Sequence, residues 1–237
     1  MRPRGWRPLR EHGYSEVESD FRHPPLQVTP ESLVAHFRGE AARALRPIPN
    51  PHHESKVDVD AQRTATPAAV LIAVVTRERE PTLLLTRRSA AISAAGHLAF
   101  PGGRSDPDDA SPEETALREA EEEVGLDRAR VRVLGRLGDY VTHSGYRIAP
   151  IVGLVAPPLD LVPHPGEVDE ILEFPLATVF DSRSYQLWRV PGESGEGGRG
   201  RAHYFLEHGG ATVSGPTLSL MMGLYRALLE THAPAAE

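Results

Sequence analysis

Ser111-Pro112-Glu113-Glu114-Thr115-Ala116-Leu117-Arg118-Glu119-Ala120-Glu121-Glu122-Glu123-Val124-Gly125-Leu126 is the most informative stretch of this chain. Its ends carry the marks of a helix. Ser111 is placed to cap the N-terminus, and Pro112 suits the first turn. Glu114 stands three residues after the serine, the spacing of a capping box. Gly125 suits a left-handed C-cap. The pattern predicts a helix from about Pro112 to Val124. On its wheel, Ala116, Leu117, Ala120 and Val124 share an arc that can pack on a sheet. Glu119, Glu122 and Glu123 share an adjoining arc about 100° wide, from which Glu121 points away. Crowding like charges costs only about 0.2–0.5 kcal/mol per pair on an exposed helix. A solvated acidic face is therefore physically tolerable, and only the neighbours of the helix argue for more.

Those neighbours are informative. Gly102-Gly103 end an apolar strand just before the helix, where bare backbone can approach a ligand closely. Arg118 lies four residues before Glu122 and four after Glu114, so it can brace the carboxylates. An oxygen-only ligand set suits hard cations such as Mg²⁺ or Mn²⁺.

Working outward, Ala68 to Thr76 and Thr82 to Thr86 read as two buried strands joined by the polar turn Arg77 to Pro81. Downstream, Val131 to Val141 and Arg147 to Val155 read as strands, and Glu170 to Phe174 as another. A short helix follows over Pro175 to Val179. Tyr185 to Val190 and His203 to Leu206 suggest a hairpin with a glycine-rich tip, and a last helix spans about Pro216 to Glu230. Strands around one central helix, with a second helix at the end, predict an α/β sandwich with a mixed sheet. Residues 1–66 are rich in proline, arginine and histidine and read as an N-terminal extension, partly helical or irregular. One helix is expected after Thr29-Pro30, with Leu33, Val34 and Phe37 on one side. Residues 67–237 are expected to form the functional domain.

The chain has 237 residues, 40% of them hydrophobic, and a net charge of −7. The acidic balance speaks against a general nucleic-acid binder. No apolar run reaches the ~20 residues needed to cross a bilayer, so no membrane partner is expected. Met1 to Arg10 lacks the apolar stretch of a secretory signal. Cysteine is absent, which excludes thiolate metal sites, disulfides and a cysteine nucleophile, and is compatible with a cytoplasmic location. The histidines show no metal-ligand spacing.

The stretch from Gly103 to Leu126 resembles the signature of the Nudix hydrolase family. That signature is a glycine, five residues, a glutamate, seven residues, then Arg-Glu-apolar-any-Glu-Glu-any-Gly-apolar. The run from Arg118 to Leu126 matches every defined position. Gly103 lies one residue farther from the arginine than the signature has it, and Asp109 best fills the earlier acidic slot. The resemblance implies a Nudix-type α/β/α sandwich that hydrolyses a diphosphate bond in a small nucleoside diphosphate derivative with Mg²⁺ or Mn²⁺. It implies that Glu122 and Glu123 bind metal and that Glu119 binds metal or acts as general base. Arg118 would orient the glutamates, and the Gly103 carbonyl could add a ligand.

A second pattern, Leu84-Leu85-Thr86-Arg87-Arg88-Ser89, then Gly96, then Phe100-Pro101-Gly102-Gly103, is similar to the motif of the coenzyme A pyrophosphatases within that family. It implies cleavage of coenzyme A or an acyl-CoA to 3′,5′-ADP and (acyl-)4′-phosphopantetheine. The subgroup's arginine four positions after the serine is Ser93 here, and the stretch from Ser89 to Gly96 is one residue short. Arg87, Arg88 and Gly102 are the candidates for substrate contact. The two arginines sit on one strand, where side chains alternate, so at most one is expected to face the site. Glu167 and Glu170 are candidates for a further carboxylate. Two other readings stay open: a hydrolase of ADP-ribose or another nucleoside diphosphate derivative, and a ligand-binding module without turnover. A homodimer is allowed but not dictated.

Overall fold

The computed structural model describes residues 14–49, 64–189 and 202–232. The two strands read around the Arg77 turn are β2 (Thr66–Val75) and β3 (Thr82–Arg88). Along β2, Ala69, Leu71, Ala73 and Val75 enter one core and Ile72 and Val74 the other. This is the period-two alternation of a strand buried on both faces. β2 runs parallel to β8 (Tyr146–Val155) and antiparallel to β3. The larger sheet also holds β4 (Leu98–Ala99), β5 (Gly102–Arg104), β6 (Val131–Arg136), β7 (Tyr140–Val141) and β9 (Val168–Pro175). It is a mixed sheet, as the pattern predicts. The single strand expected from Val131 to Val141 is broken into β6 and β7 at Gly138-Asp139, where the Asp139 carbonyl accepts from the Ile48 N–H at 3.0 Å.

Helix α2 (Pro112–Val124) covers one face of this sheet with Ala116, Ala120 and Val124. On the other face lies α4 (Gly215–His232), with Leu218, Met221, Leu224 and Tyr225 in the larger core. A short α3 (Leu176–Val179) follows β9. The hairpin read near the end forms from β10 (Tyr185–Arg189) and β11 (Ala202–His208). It belongs to a second, four-stranded antiparallel sheet completed by β12 (Ala211–Ser214) and β1 (Ser15–Val17). The glycine-rich tip of that hairpin lies outside the described residues.

The N-terminal stretch is tied into the same core. Thr29 caps α1 (Pro30–Arg38), accepting from the Ser32 N–H. Leu33 is fully buried, and Phe21, Val28 and Ile48 join the larger core with it. The following segment runs so close to Gly138 that a Cβ there would lie 1.8 Å from the Arg46 carbonyl oxygen. Residues 14–49 and the stretch from 64 onward therefore share one core. Among the described residues, no helix is long and apolar enough to cross a membrane.

Candidate active site

Helix α2 begins where its caps predict. The Ser111 hydroxyl accepts from the Glu114 N–H at 3.2 Å, and Gly125 closes the helix at φ +68°. Glu114 reaches back to the Ala110 N–H at 2.8 Å rather than to that of Ser111, so the capping box is displaced by one residue. Gly102 and Gly103 lie on β5, directly under the glutamates. A Cβ on Gly102 would come within 2.4 Å of the Ala69 carbonyl oxygen. A Cβ on Gly103 would come within 2.5 Å of the Glu119 carboxylate. Glycine is thus required twice: once for the sheet to close against β2, once for a carboxylate to lie on bare backbone.

Arg118 organises the acids. Its Nη1 donates to Glu119 and to Glu122, at 2.9 Å each. Its Nε and Nη2 both donate to Asp109 at 3.0 Å, and Nη2 also donates to the Arg104 carbonyl at 3.0 Å. All five N–H donors of the guanidinium are engaged, a pattern that a lysine cannot reproduce. The hydrogen bonds from Arg118 hold the Asp109 carboxyl well below the usual carboxylate range, and those to Asp109 raise the guanidinium further. Thr115 Oγ1 and the Asp106 N–H donate to the same Asp109 oxygen, at 2.9 and 2.8 Å. Asp109 therefore fixes the brace that fixes the glutamates. Its place in the acidic slot is legible in the sequence, but its bidentate partner is not. Glu114, which spacing also offers to Arg118, is spent on the helix cap.

The three glutamates of one arc have unlike surroundings. Glu122 is the most open, its side chain 56% exposed. Glu119 is mostly buried, and burial pushes its carboxyl up, partly offset by Arg118. Glu123 is only 5% exposed and accepts one hydrogen bond, from the Gly102 N–H at 3.1 Å. Burial pushes its carboxyl up to about 7. The Gly102 bond opposes that rise, and the Glu119 charge adds to it. Glu121 turns away and pairs with Arg128 at 2.6 Å.

Among the described residues, no three His, Asp or Glu side chains converge closely enough to hold a metal ion. Two of the three glutamates point at Arg118 instead. The chemistry of the donor set nevertheless fits a hard divalent cation. Glu119 lies against the Gly103 backbone. Glu123 is buried at Gly102 with no ion pair at contact distance among the described residues, only the more distant charge of Arg88 acting on it, and a poorly compensated buried carboxylate is costly. Carboxylate oxygens with no thiolate or imidazole among them are the donors that Mg²⁺ and Mn²⁺ prefer.

The glutamates line a cleft of about 610 Å³. Gly102, Gly103 and Arg88 also border it, and so does Glu167. Arg88 donates through Nε to the Ser93 carbonyl at 3.0 Å. Arg87 does not line the cleft. It pairs with Glu170 at 2.8 Å on the neighbouring strand β9. Strand alternation, with an irregularity between Arg87 and Arg88, separates the two arginines and takes Glu170 away with Arg87. Thr142, Ser144 and Tyr146 border the cleft as well, at the junction of β7 and β8, which no motif marked.

A strand-borne glycine pair facing a braced glutamate helix defines a recognisable class of protein. The NUDIX domain model matches residues 65–189, more than half of the chain. The chain belongs to the Nudix family. It is 49% identical over 124 residues to a protein of Photorhabdus laumondii named uncharacterized Nudix hydrolase NudL, a match that covers 52% of this chain and 66% of that protein. A protein of the same name from Yersinia enterocolitica is 52% identical over 110 residues, covering 46% of this chain and 56% of that one. The chain thus spans between about half and two thirds of the length of these curated relatives. Among solved structures, the Nudix hydrolase RenU of M. smegmatis aligns with a TM-score of 0.48 at 18% identity, over 73% of this chain and 90% of that one.

Proposed function

We propose that the chain hydrolyses a diphosphate bond in a nucleoside diphosphate derivative, with Mg²⁺ or Mn²⁺, and that the substrate is coenzyme A or an acyl-CoA. The observation that carries the reaction class is the buried Glu123 beside Glu119 and the Gly102-Gly103 backbone, braced by Arg118 at one end of a large cleft. Glu119, Glu122, Glu123 and the Gly103 carbonyl would hold the cation. When bound, a divalent cation neutralises phosphate oxygens and lowers the pKa of water. Glu119 would, as the alternative to binding the cation, take a proton from the attacking water in its ionised form, a role worth about 10²–10⁴-fold in rate. Arg118 keeps that carboxylate oriented. Arg88, whose Nε is anchored on Ser93, offers its remaining N–H groups to a substrate phosphate.

The finer substrate reading is supported by the run Leu84 to Ser89 followed by Gly96 and Phe100-Pro101-Gly102-Gly103. The decisive experiment is a panel of coenzyme A, acyl-CoA, dephospho-coenzyme A and ADP-ribose with Mg²⁺ or Mn²⁺, read by product masses. The expected products are 3′,5′-ADP and 4′-phosphopantetheine, with activity abolished by excess chelator and restored by the metal. Cleavage of ADP-ribose alone would retain the reaction class and discard coenzyme A. Turnover unaffected by chelator would discard the mechanism.

A further inference from the structure

A second pocket, of about 200 Å³, lies on the seam between the N-terminal stretch and the rest of the core. Its walls are α1, the segment that follows it, the junction of β6 and β7, and the second half of α4. Two close approaches hold these walls together. One is the hydrogen bond from the Ile48 N–H to the Asp139 carbonyl. The other sets Ile48 on bare backbone of α4, where a Cβ on Gly223 would lie 2.9 Å from Ile48 Cδ1. None of the described residues that line this pocket borders the cleft that holds the glutamates.

The charge on these walls runs against that of the molecule. The chain carries −7, yet Arg46, Arg136 and Arg226 border the pocket against one acid, Glu230. Glu230 stands one turn after Arg226 on α4, a spacing at which the two could pair. It pairs instead with Arg46, at 2.9 Å. Asp139, from just beyond the lining, is taken by Arg136. Arg226 is left with no carboxylate within ion-pair distance among the described residues. Its guanidinium lies over the Phe21 ring, 5.3 Å from the centroid. That contact holds a cation in place but does not cancel its charge. The charge is felt nearby: after burial, Arg226 is the second cause that pushes the His23 imidazole down. Arg136 is also incompletely satisfied, because its Nε is buried without a hydrogen-bond partner, a state that buried polar groups rarely keep. Much of the remaining lining is apolar, with Phe37, Pro47, Ile48 and Leu137 in it. Leu45 lines it too and is 48% exposed, unusual for so large an apolar side chain. An apolar hollow with a few polar groups is the usual form of a small-molecule site. A cavity of about 150 Å³ is enough to admit benzene, so this pocket has room for a six-membered ring carrying a charged group.

We propose that this pocket is a second ligand site, separate from the cleft, for a small organic carboxylate with a compact apolar body. One guanidinium without a counter-charge matches one negative charge, which favours a carboxylate over a phosphate dianion. The carboxylate is set against Arg226, and the apolar body against Phe37, Leu45 and Ile48. The test is a calorimetric titration of the full chain, free of divalent metal, with benzoate. Benzamide, which has the same ring and no charge, is titrated beside it. Benzoate should bind the wild type at least about 10-fold more tightly than benzamide, the worth of a charge-assisted hydrogen bond. Arg226→Gln should weaken benzoate by a similar factor. Leu45→Glu changes an exposed side chain, leaves the core intact and adds a negative charge to the lining, so it should weaken benzoate as well. Arg88→Ala, on the wall of the cleft, should bind benzoate as the wild type does. Absence of benzoate binding, or equal binding of benzoate and benzamide, overturns the site. Wild-type affinity for benzoate in Arg226→Gln or in Leu45→Glu overturns it too. Loss of benzoate binding in Arg88→Ala would place the anion in the cleft and overturn the second site.

Discussion

Residues on one arc of α2 do unlike jobs. Changing Glu119, Glu122 or Glu123 singly to Gln removes a charge but keeps size and helix propensity. Turnover should fall by about 10²-fold or more with the fold retained, as measured by steady-state kinetics beside circular dichroism. Glu121→Gln, which only releases Arg128, should stay near wild type; a loss as large as that of Glu122→Gln would refute the assignment by face. Arg88→Ala should raise KM for a diphosphate substrate by roughly 10- to 150-fold, the worth of a charge-assisted bond to phosphate at about 1.5–3 kcal/mol. Arg87→Ala should change KM much less, because that side chain is spent on Glu170. Equal effects at the two positions would contradict the placement of Arg88 on the cleft wall. Helical geometry makes the shared arc of the glutamates legible from spacing alone. It does not show that Glu123 is buried and Glu122 open. That difference is set by β5, whose contact with α2 is long-range.

Between elements, contacts of backbone and charge set the geometry. Gly103→Ala would insert a methyl group 2.5 Å from the Glu119 carboxylate. The helix cannot yield without losing its packing on β2, so Glu119 must swing away. Activity should drop by more than tenfold with little loss of stability, and Mn²⁺ affinity should weaken. An active Gly103→Ala protein would show that Glu119 need not lie on that backbone. A second inter-element contact joins the β2–β3 turn to β9. Glu173 accepts from Arg77 Nε at 3.1 Å and Nη2 at 2.5 Å, and from Thr82 Oγ1 at 2.5 Å. The Arg77 bonds hold the Glu173 carboxyl below its usual range. A carboxyl lowered in the folded state stabilises above its unfolded pKa of about 4.3, and that contribution is lost as pH falls through the lower folded value. Wild type should therefore exceed Glu173→Gln in urea stability at pH 7, and the gap should close toward pH 3. A gap that persists unchanged at pH 3 would contradict the ion pair.

At the scale of the molecule, two cores lie on the two faces of one mixed sheet, and the stretch before Pro67 contributes to one of them. Leu33, fully buried, should cost about 2–5 kcal/mol when changed to Ala. Because residues 14–49 share that core, denaturant unfolding should show one shifted transition. A separate early transition for the N-terminal stretch would show that it folds apart.

The helix over Pro112–Val124, its caps, the paired strands around Arg77 and the α/β class are determined by local signals, which need only neighbours in sequence. The membership of one acidic arc follows from the same periodicity. The tertiary structure alone decides which of these groups meet. It sets Asp109 against Arg118, sends Arg87 to Glu170 and Arg88 to the cleft, and brings Glu167 to the cleft that the helix glutamates line. It also turns a hairpin into a four-stranded sheet by pairing β10 with Ser15–Val17, far away in the chain. The physical reason is the same in each case. Periodicity and capping act within a few residues. Burial, desolvation and ion pairing depend on distances that only the packing of remote segments creates.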